Sequence, residues 1–381
     1  MALKKLLQLF CASKKDSKKK GKSIDPLWRA SAPHSSSSLN ANKSHLDPCS
    51  SGTGAMLSVQ KLTPECSSMI SSLAREEHGS GSNDYMSFNQ FDVVQDFSDH
   101  YYAKTSPGKT TKDWVKAVQS EWNLLQKNLP ESIYVRVYED RIDLLRAAIV
   151  GPAGTPYHDG LFFFDVRFPS EYPKCPPKVR YHSGGLRLNP NLYESGKVCL
   201  SLLNTWWGNG CEKWGKSNST MLQVLVSIQG LVLNDKPYFN EPGNKNYAKT
   251  TVGEKNSLAY NQSVFLLSCK TMLYSLRKPP KHFETLVVRH FHECEHAILD
   301  VCSAYMSGVV VGSSAGSGAR YACDKCFADF KKSLTLYTEH LRTEFAANRS
   351  QHLMTEFAAN RSRMLELERQ ASAGEEIVPS S

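Results

Sequence analysis

The spacing of apolar residues predicts a folded domain that begins near residue 110. Its first helix is marked by apolar side chains at every third or fourth position: Trp114, Val118, Trp122, Leu125 and Leu129. They predict a helix over 112–128 that ends before Pro130. Apolar alternation then predicts four strands, at 133–137, 142–150, 162–168 and 178–181. Because the turns between them are short or marked by Pro and Gly, an antiparallel meander is favoured over parallel βαβ units.

The C-terminal half of the pattern is helical. Residues 221–233 are nearly all apolar, which is typical of a buried helix. Two further helices are predicted over 257–276 and 282–305, and residues 325–372 are charged and helix-prone. The expected fold class is therefore α+β: an N-terminal helix, a four-stranded antiparallel meander, a buried central helix and C-terminal helices, some of them additional to the core.

The C-terminal segment contains a duplication. Residues 340–350 (HLRTEFAANRS) recur as 352–362 with one difference, at a period of 12 residues. At ~100° per residue this step rotates ~120° around a helix, so the two copies do not lie on one face. A coiled-coil repeat would keep them on one face. The sequence therefore favours an insertion tolerated in an exposed helix over a functional repeat.

Composition narrows the setting of the domain. No apolar run approaches the ~18 residues that a membrane helix needs. Eleven cysteines in 381 residues are too sparse for a disulfide scaffold, and no secretory signal is visible because Lys4 and Lys5 interrupt the first apolar residues. A reducing compartment, the cytoplasm or the nucleus, is expected.

The net charge of +9 comes mainly from the N-terminal head. Residues 1–30 hold nine Lys or Arg against two acidic residues, which places +7 there. The rest is nearly neutral, so no nucleic-acid partner is expected. The spacing of four apolar residues predicts a short helix with one apolar face: Leu3, Leu6, Leu7 and Phe10. Such a helix either lies on a membrane surface, which we do not expect, or is a frayed tail. The lysine-rich run 14–22 is either a nuclear-import signal or a chance match.

Six segments follow from these patterns. They are a basic, Ser-rich, disordered head (1–83), an acidic-aromatic arm (84–109), the main folded domain (110–280), an additional helix (281–307), a Gly/Ser linker (308–324) and a charged helical tail with a disordered end (325–381). In the arm, aromatic residues are interspersed with acids. Such a segment either docks onto a basic partner or folds back on its own domain.

Two motifs carry the chemistry. The first is Asn189-Pro190-Asn191 followed by Cys199, eight positions after Asn191, within the tract 188–203. The second is the upstream tract 168–178 around Tyr172-Pro173. In this order, after one helix and a meander, they make residues 110–280 resemble the ubiquitin-conjugating enzymes, the E2 class. The tract 189–203, with 226–230 and 238–242, looks like the large hybrid conjugating/ligating branch, and especially its shorter plant members related to the phosphate-homeostasis conjugating enzyme.

The resemblance implies a UBC fold and a role for each site residue. Cys199 would receive ubiquitin from the activating enzyme as a thioester and pass it to a substrate lysine, since a thiolate is both nucleophile and leaving group. Asn191 would stabilise the oxyanion or order the loop that does so. Glu241, just before Pro242, would orient the attacking lysine, although a solvent-facing Glu is the simpler reading. Expected partners are ubiquitin, the activating enzyme and substrate proteins.

The chain also departs from the family pattern. Asn189 stands where the motif usually begins with His, which implies altered loop rigidity rather than lost activity. Lys174 replaces an exposed apolar residue that other members present to ligases, and the segment between Trp206 and Trp214 is about eight residues longer than in common members. Both changes fall on the ligase-binding surface of the family. A dedicated ligase and partial ligase independence are the alternatives.

Other signals are weaker. Cys323 and Cys326 form a single C-x-x-C, and structural zinc needs two more ligands, so no metal is expected. No cofactor is expected either: the chain has no Gly-rich phosphate loop, and ATP would be used by the activating enzyme. Two rival functions remain, a non-catalytic ubiquitin-binding scaffold of the same fold and a carrier of another ubiquitin-like modifier.

Overall fold

A computed structural model describes residues 88–108, 110–206, 208, 210–313 and 325–375. The predictions for the basic head, Cys323, Trp207 and Asn209 lie outside these described residues. Within them, none of the helices is both long and apolar enough to cross a membrane.

In the described residues the sheet has five strands, which lie in the order of the chain. They are β1 (Phe91–Val94), β2 (Ile133–Tyr138), β3 (Leu144–Val150), β4 (Leu161–Arg167) and β5 (Lys178–Tyr181). Strands β2 to β5 pair antiparallel, which confirms the predicted meander. The sequence did not predict β1, which pairs parallel to β2 with Phe91 opposite Val135.

Both faces of the sheet are covered. Val135, Ala147 and Phe164 face helix α1 (Lys112–Asn128) and helix α2 (Met221–Ser227), whose last turn continues as a π-helix over Ile228–Val232. The opposite face, with Ala148 and Phe163, packs on the C-terminal helices. Because neither face meets water, β3 and β4 are buried along almost their whole length.

The described part of the arm, residues 88–108, folds back on its own domain. Strand β1 lies on the open edge of β2, and the Asp99 carboxylate accepts two 2.8 Å hydrogen bonds from Arg146 Nη1. Arg146 is fully buried and also binds Asp165, which accepts a third bond from the backbone N–H of Tyr101. Two acidic residues of the arm, Asp96 and Asp99, thus pair with cations of the same chain, Lys281 and Arg146.

Three long helices complete the described part of the fold. They are α3 (Thr251–Arg277), α4 (Glu284–Met306) and α5 (Lys325–Glu375). The N-terminal half of α5 packs on α3 and α4, where Phe291 and Phe345 bring their ring centroids to 6.1 Å. Helix α5 is one continuous helix through both copies of the duplicated segment.

Candidate active site

The cysteine segment lies between β5 and α2 and is held by short backbone bridges rather than by a regular element. Lys197 bridges Arg180 on β5, and Val198 bridges Leu192. A 3₁₀ turn, Ser201–Leu203, follows the cysteine. The chain therefore approaches Cys199 in an extended conformation and turns away directly after it.

Asn189 fixes the start of this loop from a fully buried position. Its Oδ1 accepts hydrogen bonds from the backbone N–H groups of Asn191 (2.7 Å) and Leu192 (3.0 Å), which closes the turn around the buried Pro190. Its Nδ2 donates to Tyr157 Oη and to the carbonyl of Val232, both at 3.0 Å. One amide thus ties the loop to the end of the central helix, which is a buttressing arrangement.

Asn191 holds the backbone of Cys199 on both sides. The Asn191 carbonyl accepts from the Cys199 N–H at 2.8 Å, and the Asn191 Nδ2 donates to the Cys199 carbonyl at 2.9 Å. The side chain is buried, and its Oδ1 has no hydrogen-bond partner among the residues that the structure describes. The amide therefore fixes the backbone of the segment that carries the cysteine.

Cys199 is only 2% exposed but lines an open groove of about 390 Å³. The other groove residues are Tyr193, Lys197, Asn204, Thr205, Trp206, Gly208 and Lys213. Burial raises the pKa of the Cys199 thiol above its ordinary value. The charge of Lys197, a hydrogen bond from Tyr193 and the charge of Arg187 oppose that shift without cancelling it. The resting group is therefore a thiol, and the nearby cations reduce the cost of forming its thiolate.

Glu241 lies between two 3₁₀ turns, Pro237–Asn240 and Pro242–Tyr247, and is half-buried. Its negative charge raises the pKa of Cys199 and contributes to raising that of Tyr260 to about 12, for which burial is the main cause. The structure thus places the carboxylate within electrostatic reach of the sulfur. It makes no direct contact with Asn191 among the described hydrogen bonds.

Tyr172 and Pro173 connect their loop to helices α1 and α2 and to Trp214. The Tyr172 hydroxyl donates to Glu121 Oε1 on α1 at 2.6 Å, and Glu121 Oε2 accepts from the backbone N–H of Met221 at the start of α2. The Pro173 carbonyl accepts from Trp214 Nε1 at 2.8 Å. The far end of the longer Trp206–Trp214 segment is therefore attached to the Tyr172-Pro173 loop, while Lys174 remains exposed.

Sequence reasoning missed the groups that set the electrostatics of the groove. Arg187 lies 4.5 Å and the Lys197 ammonium 5.7 Å from the centre of the Tyr193 ring, so two cations flank the tyrosine that binds the thiol. Thr205 also escaped notice: its Oγ1 donates to the Val198 carbonyl (2.7 Å) and accepts from the Leu200 N–H (3.0 Å). Of these residues, only Lys197 could have been found from the sequence, because it lies two residues before the cysteine in an extended segment.

Comparison with known proteins gives the same family as the motif. The family of ubiquitin-conjugating enzymes matches residues 117–266. Over 237 residues the chain is 58% identical to the putative ubiquitin-conjugating enzyme E2 38 of Arabidopsis thaliana, covering 61% of this chain and 72% of that protein. The chain belongs to the ubiquitin-conjugating enzyme family. It therefore shares a family of E2 transferases with the relatives that it matches.

Other relatives of the family are much longer. The chain is 59% identical over 230 residues to the probable ubiquitin-conjugating enzyme E2 25 of Arabidopsis thaliana, covering 60% of this chain and 38% of that protein. It is 36% identical over 248 residues to the human dual E2 ubiquitin-conjugating enzyme/E3 ubiquitin-protein ligase BIRC6, covering 60% of this chain and 5% of that protein. The chain thus spans less than half the length of several relatives that it matches.

Proposed function

We propose that this protein carries ubiquitin as a thioester on Cys199 and transfers it to lysine side chains. The observation that carries the proposal is the placement of Cys199. It is a free cysteine at the wall of an open groove, with its backbone fixed by Asn191. Membership of a family of conjugating enzymes supplies the class of substrate.

Charging is an exchange of thioesters. The Cys199 sulfur attacks the terminal carbonyl carbon of ubiquitin held on the activating enzyme, a new S–C bond forms, and the old one breaks. The Cys199 proton leaves with the departing thiolate of the activating enzyme. The charges of Lys197 and Arg187 favour the Cys199 thiolate during this step, against the cost of burial.

Discharge is attack by a lysine amine on the bound thioester. The N–C bond forms, the S–C bond breaks, and the proton lost by the amine neutralises the Cys199 thiolate. The amine must first be neutral, although the free lysine pKa is ~10.4. Glu241 is the acidic group that orients the incoming amine, because its charge already reaches the sulfur. Asn191 keeps the loop ordered while the oxyanion forms.

The first test is thioester charging. The chain is mixed with ubiquitin, ATP and the activating enzyme and resolved on non-reducing gels beside Cys199→Ala and the matched control Cys175→Ala. Cys175 is also a free, partly buried thiol, and it lies on the Tyr172-Pro173 loop. We expect a reducible adduct that Cys199→Ala abolishes and Cys175→Ala keeps. No adduct, or one that survives Cys199→Ala, overturns the proposal; charging with another modifier in place of ubiquitin overturns its substrate class.

The same reaction distinguishes a dedicated ligase from ligase independence. The name of BIRC6 joins conjugating and ligating activities in one protein, which favours the second alternative for this chain. We propose that free ubiquitin chains form without added ligase. Charging without chain formation would contradict this part of the proposal and leave the carrier role intact.

A further inference from the structure

The two copies of the duplicated segment have nearly the same sequence and different surroundings. In the first copy, Leu341 and Phe345 are fully buried against α3 and α4. In the second copy, the equivalent residues Leu353 and Phe357 are 53% and 41% exposed. A sequence that packs well in one place is therefore presented to solvent 12 residues later.

The flanking residues explain why the first copy is the one that packs. Its N-terminal side supplies Phe330 and Leu334, both buried in the same cluster. A slide of the helix by 12 residues would bring Arg342 and Ala346 to those positions. Since that shift buries a charge and loses apolar area, the second copy does not replace the first in the groove.

The exposed half of α5 carries a regular apolar stripe. Its members are Leu353, Phe357, Asn360, Met364 and Leu367. The steps between them are four, three, four and three residues, which is the spacing of a coiled-coil seam. The four apolar members are 41% to 59% exposed. Because this stripe lies ~120° around the helix from the face that packs on α3 and α4, it points away from the described domain.

We propose that this stripe pairs in parallel with the same stripe of a second copy of the chain. The charged residues on either side of the stripe identify a second copy of the chain as the partner, because they are complementary to themselves. In a parallel coiled coil, the residue at heptad position g of one helix faces position e of the next heptad on the other helix, five residues later. Glu356 then faces Arg361 of the second copy, and Arg363 faces Glu368. The two-fold axis repeats each attraction, although Glu356 also lies 3.7 Å from His352 of its own chain.

Asn360 sets the direction of the pairing. In a parallel pair it meets Asn360 of the second copy, and the two amides satisfy each other within one layer. An antiparallel pair places this amide opposite an apolar residue of the stripe, which leaves it unpaired. A single polar layer of this kind specifies register in coiled coils at some cost in stability.

The anchored half of α5 lowers the cost of association. Asn348 Nδ2 donates to the Val288 carbonyl at 2.9 Å, and Glu344 pairs with Arg277 at 2.6 Å, so the helix is already formed where the stripe begins. Nucleation, the expensive step of helix formation, is therefore complete before the partner arrives. The stripe is only about two heptads long, so the dimer is weak and depends on concentration.

The test measures the mass of the full chain by sedimentation velocity over about 1–100 μM, a range in which a weak dimer dissociates. We expect the mass to rise from 42.6 kDa toward twice that value. Met364→Asp, on the stripe, should abolish the rise. Leu365→Asp, at a neighbouring residue off the stripe that is 48% exposed against 59% for Met364, should keep it. A monomer throughout, or equal loss in both variants, overturns the proposal.

Charge exchange tests the parallel register. Glu356→Arg alone and Arg361→Glu alone each place like charges opposite one another in the homodimer, so each should weaken it about tenfold. An equimolar mixture of the two variants restores both attractions, and so does the double variant. Dimers that ignore these changes, or that form only in the single variants, contradict parallel pairing through this seam.

Discussion

Removing the fully buried Asn189 amide tests quantitatively how the loop that carries Cys199 is held, because its cost in stability can be worked out from the structure. Replacing Asn189 by Ala removes four hydrogen bonds. Two of the partners retain another bond: Leu192 N–H still donates to the Asn189 backbone carbonyl, and the Val232 carbonyl still accepts from Asn240. The Asn191 N–H and the Tyr157 hydroxyl lose the partner that the structure gives them.

The cost of Asn189→Ala follows from those two groups. A buried polar group left without a partner costs about 1–3 kcal/mol, so we expect a loss of about 2–6 kcal/mol in the free energy of unfolding. Tyr157→Phe is the matched control, because it removes the hydroxyl itself and leaves three of the four bonds. It should cost about 1 kcal/mol.

Urea unfolding followed by tryptophan fluorescence measures both variants. The midpoint should fall much further for Asn189→Ala than for Tyr157→Phe, with the slope unchanged. A loss below about 1 kcal/mol for Asn189→Ala, or equal losses for the two variants, would refute the reasoning that this amide is the buttress of the loop.

Three further predictions concern charge and capping. Lys197→Met should raise the pKa of the Cys199 thiol and Glu241→Gln should lower it, since the two charges act on the thiol in opposite directions. The pKa is measured from the rate at which the Cys199 peptide is alkylated at different pH values, followed by mass spectrometry. Shifts of the same sign in both variants would contradict the prediction. The pKa of Asp165 lies well below its usual range because His182 and Arg146 bind the carboxylate. Its stabilisation is therefore present above the unfolded pKa of about 3.9 and is lost as the pH falls below that value. Thermal unfolding between about pH 7 and pH 3 should show a steeper loss for the native chain than for Asp165→Asn. Thr220→Ala removes the capping box of α2, in which Thr220 Oγ1 accepts from the Gln223 N–H and Gln223 Oε1 accepts from the Thr220 N–H. The free energy of unfolding, measured in urea, should fall by about 1 kcal/mol. Thr220→Ser keeps the hydroxyl and should cost little.

Local sequence was sufficient for most of the secondary structure. Helix α1 begins and ends where the apolar spacing and Pro130 placed it, and strands β2 to β5 lie within the predicted ranges or extend one residue beyond them. These elements are specified by contacts between near neighbours in sequence, which leave a period of two or 3.6 residues. The family motif around Asn191 and Cys199 is likewise contiguous and readable without a fold.

Long-range contacts decided what the sequence left open. Strand β1 exists because the edge of β2 offers backbone groups for pairing. Its four residues, with Asp92 and Val93 exposed in the middle, give no strand pattern of their own. The four bonds of Asn189 join positions up to 43 residues apart, so no local pattern shows them.

The duplicated segment separates the two kinds of information most clearly. Sequence alone determined that 340–350 and 352–362 form nearly the same helix and cannot share a face. It did not determine which copy is buried. Only the tertiary structure decides that the first copy packs on α3 and α4, because Phe330 and Leu334 join it there, while the second copy leaves its apolar stripe in solvent.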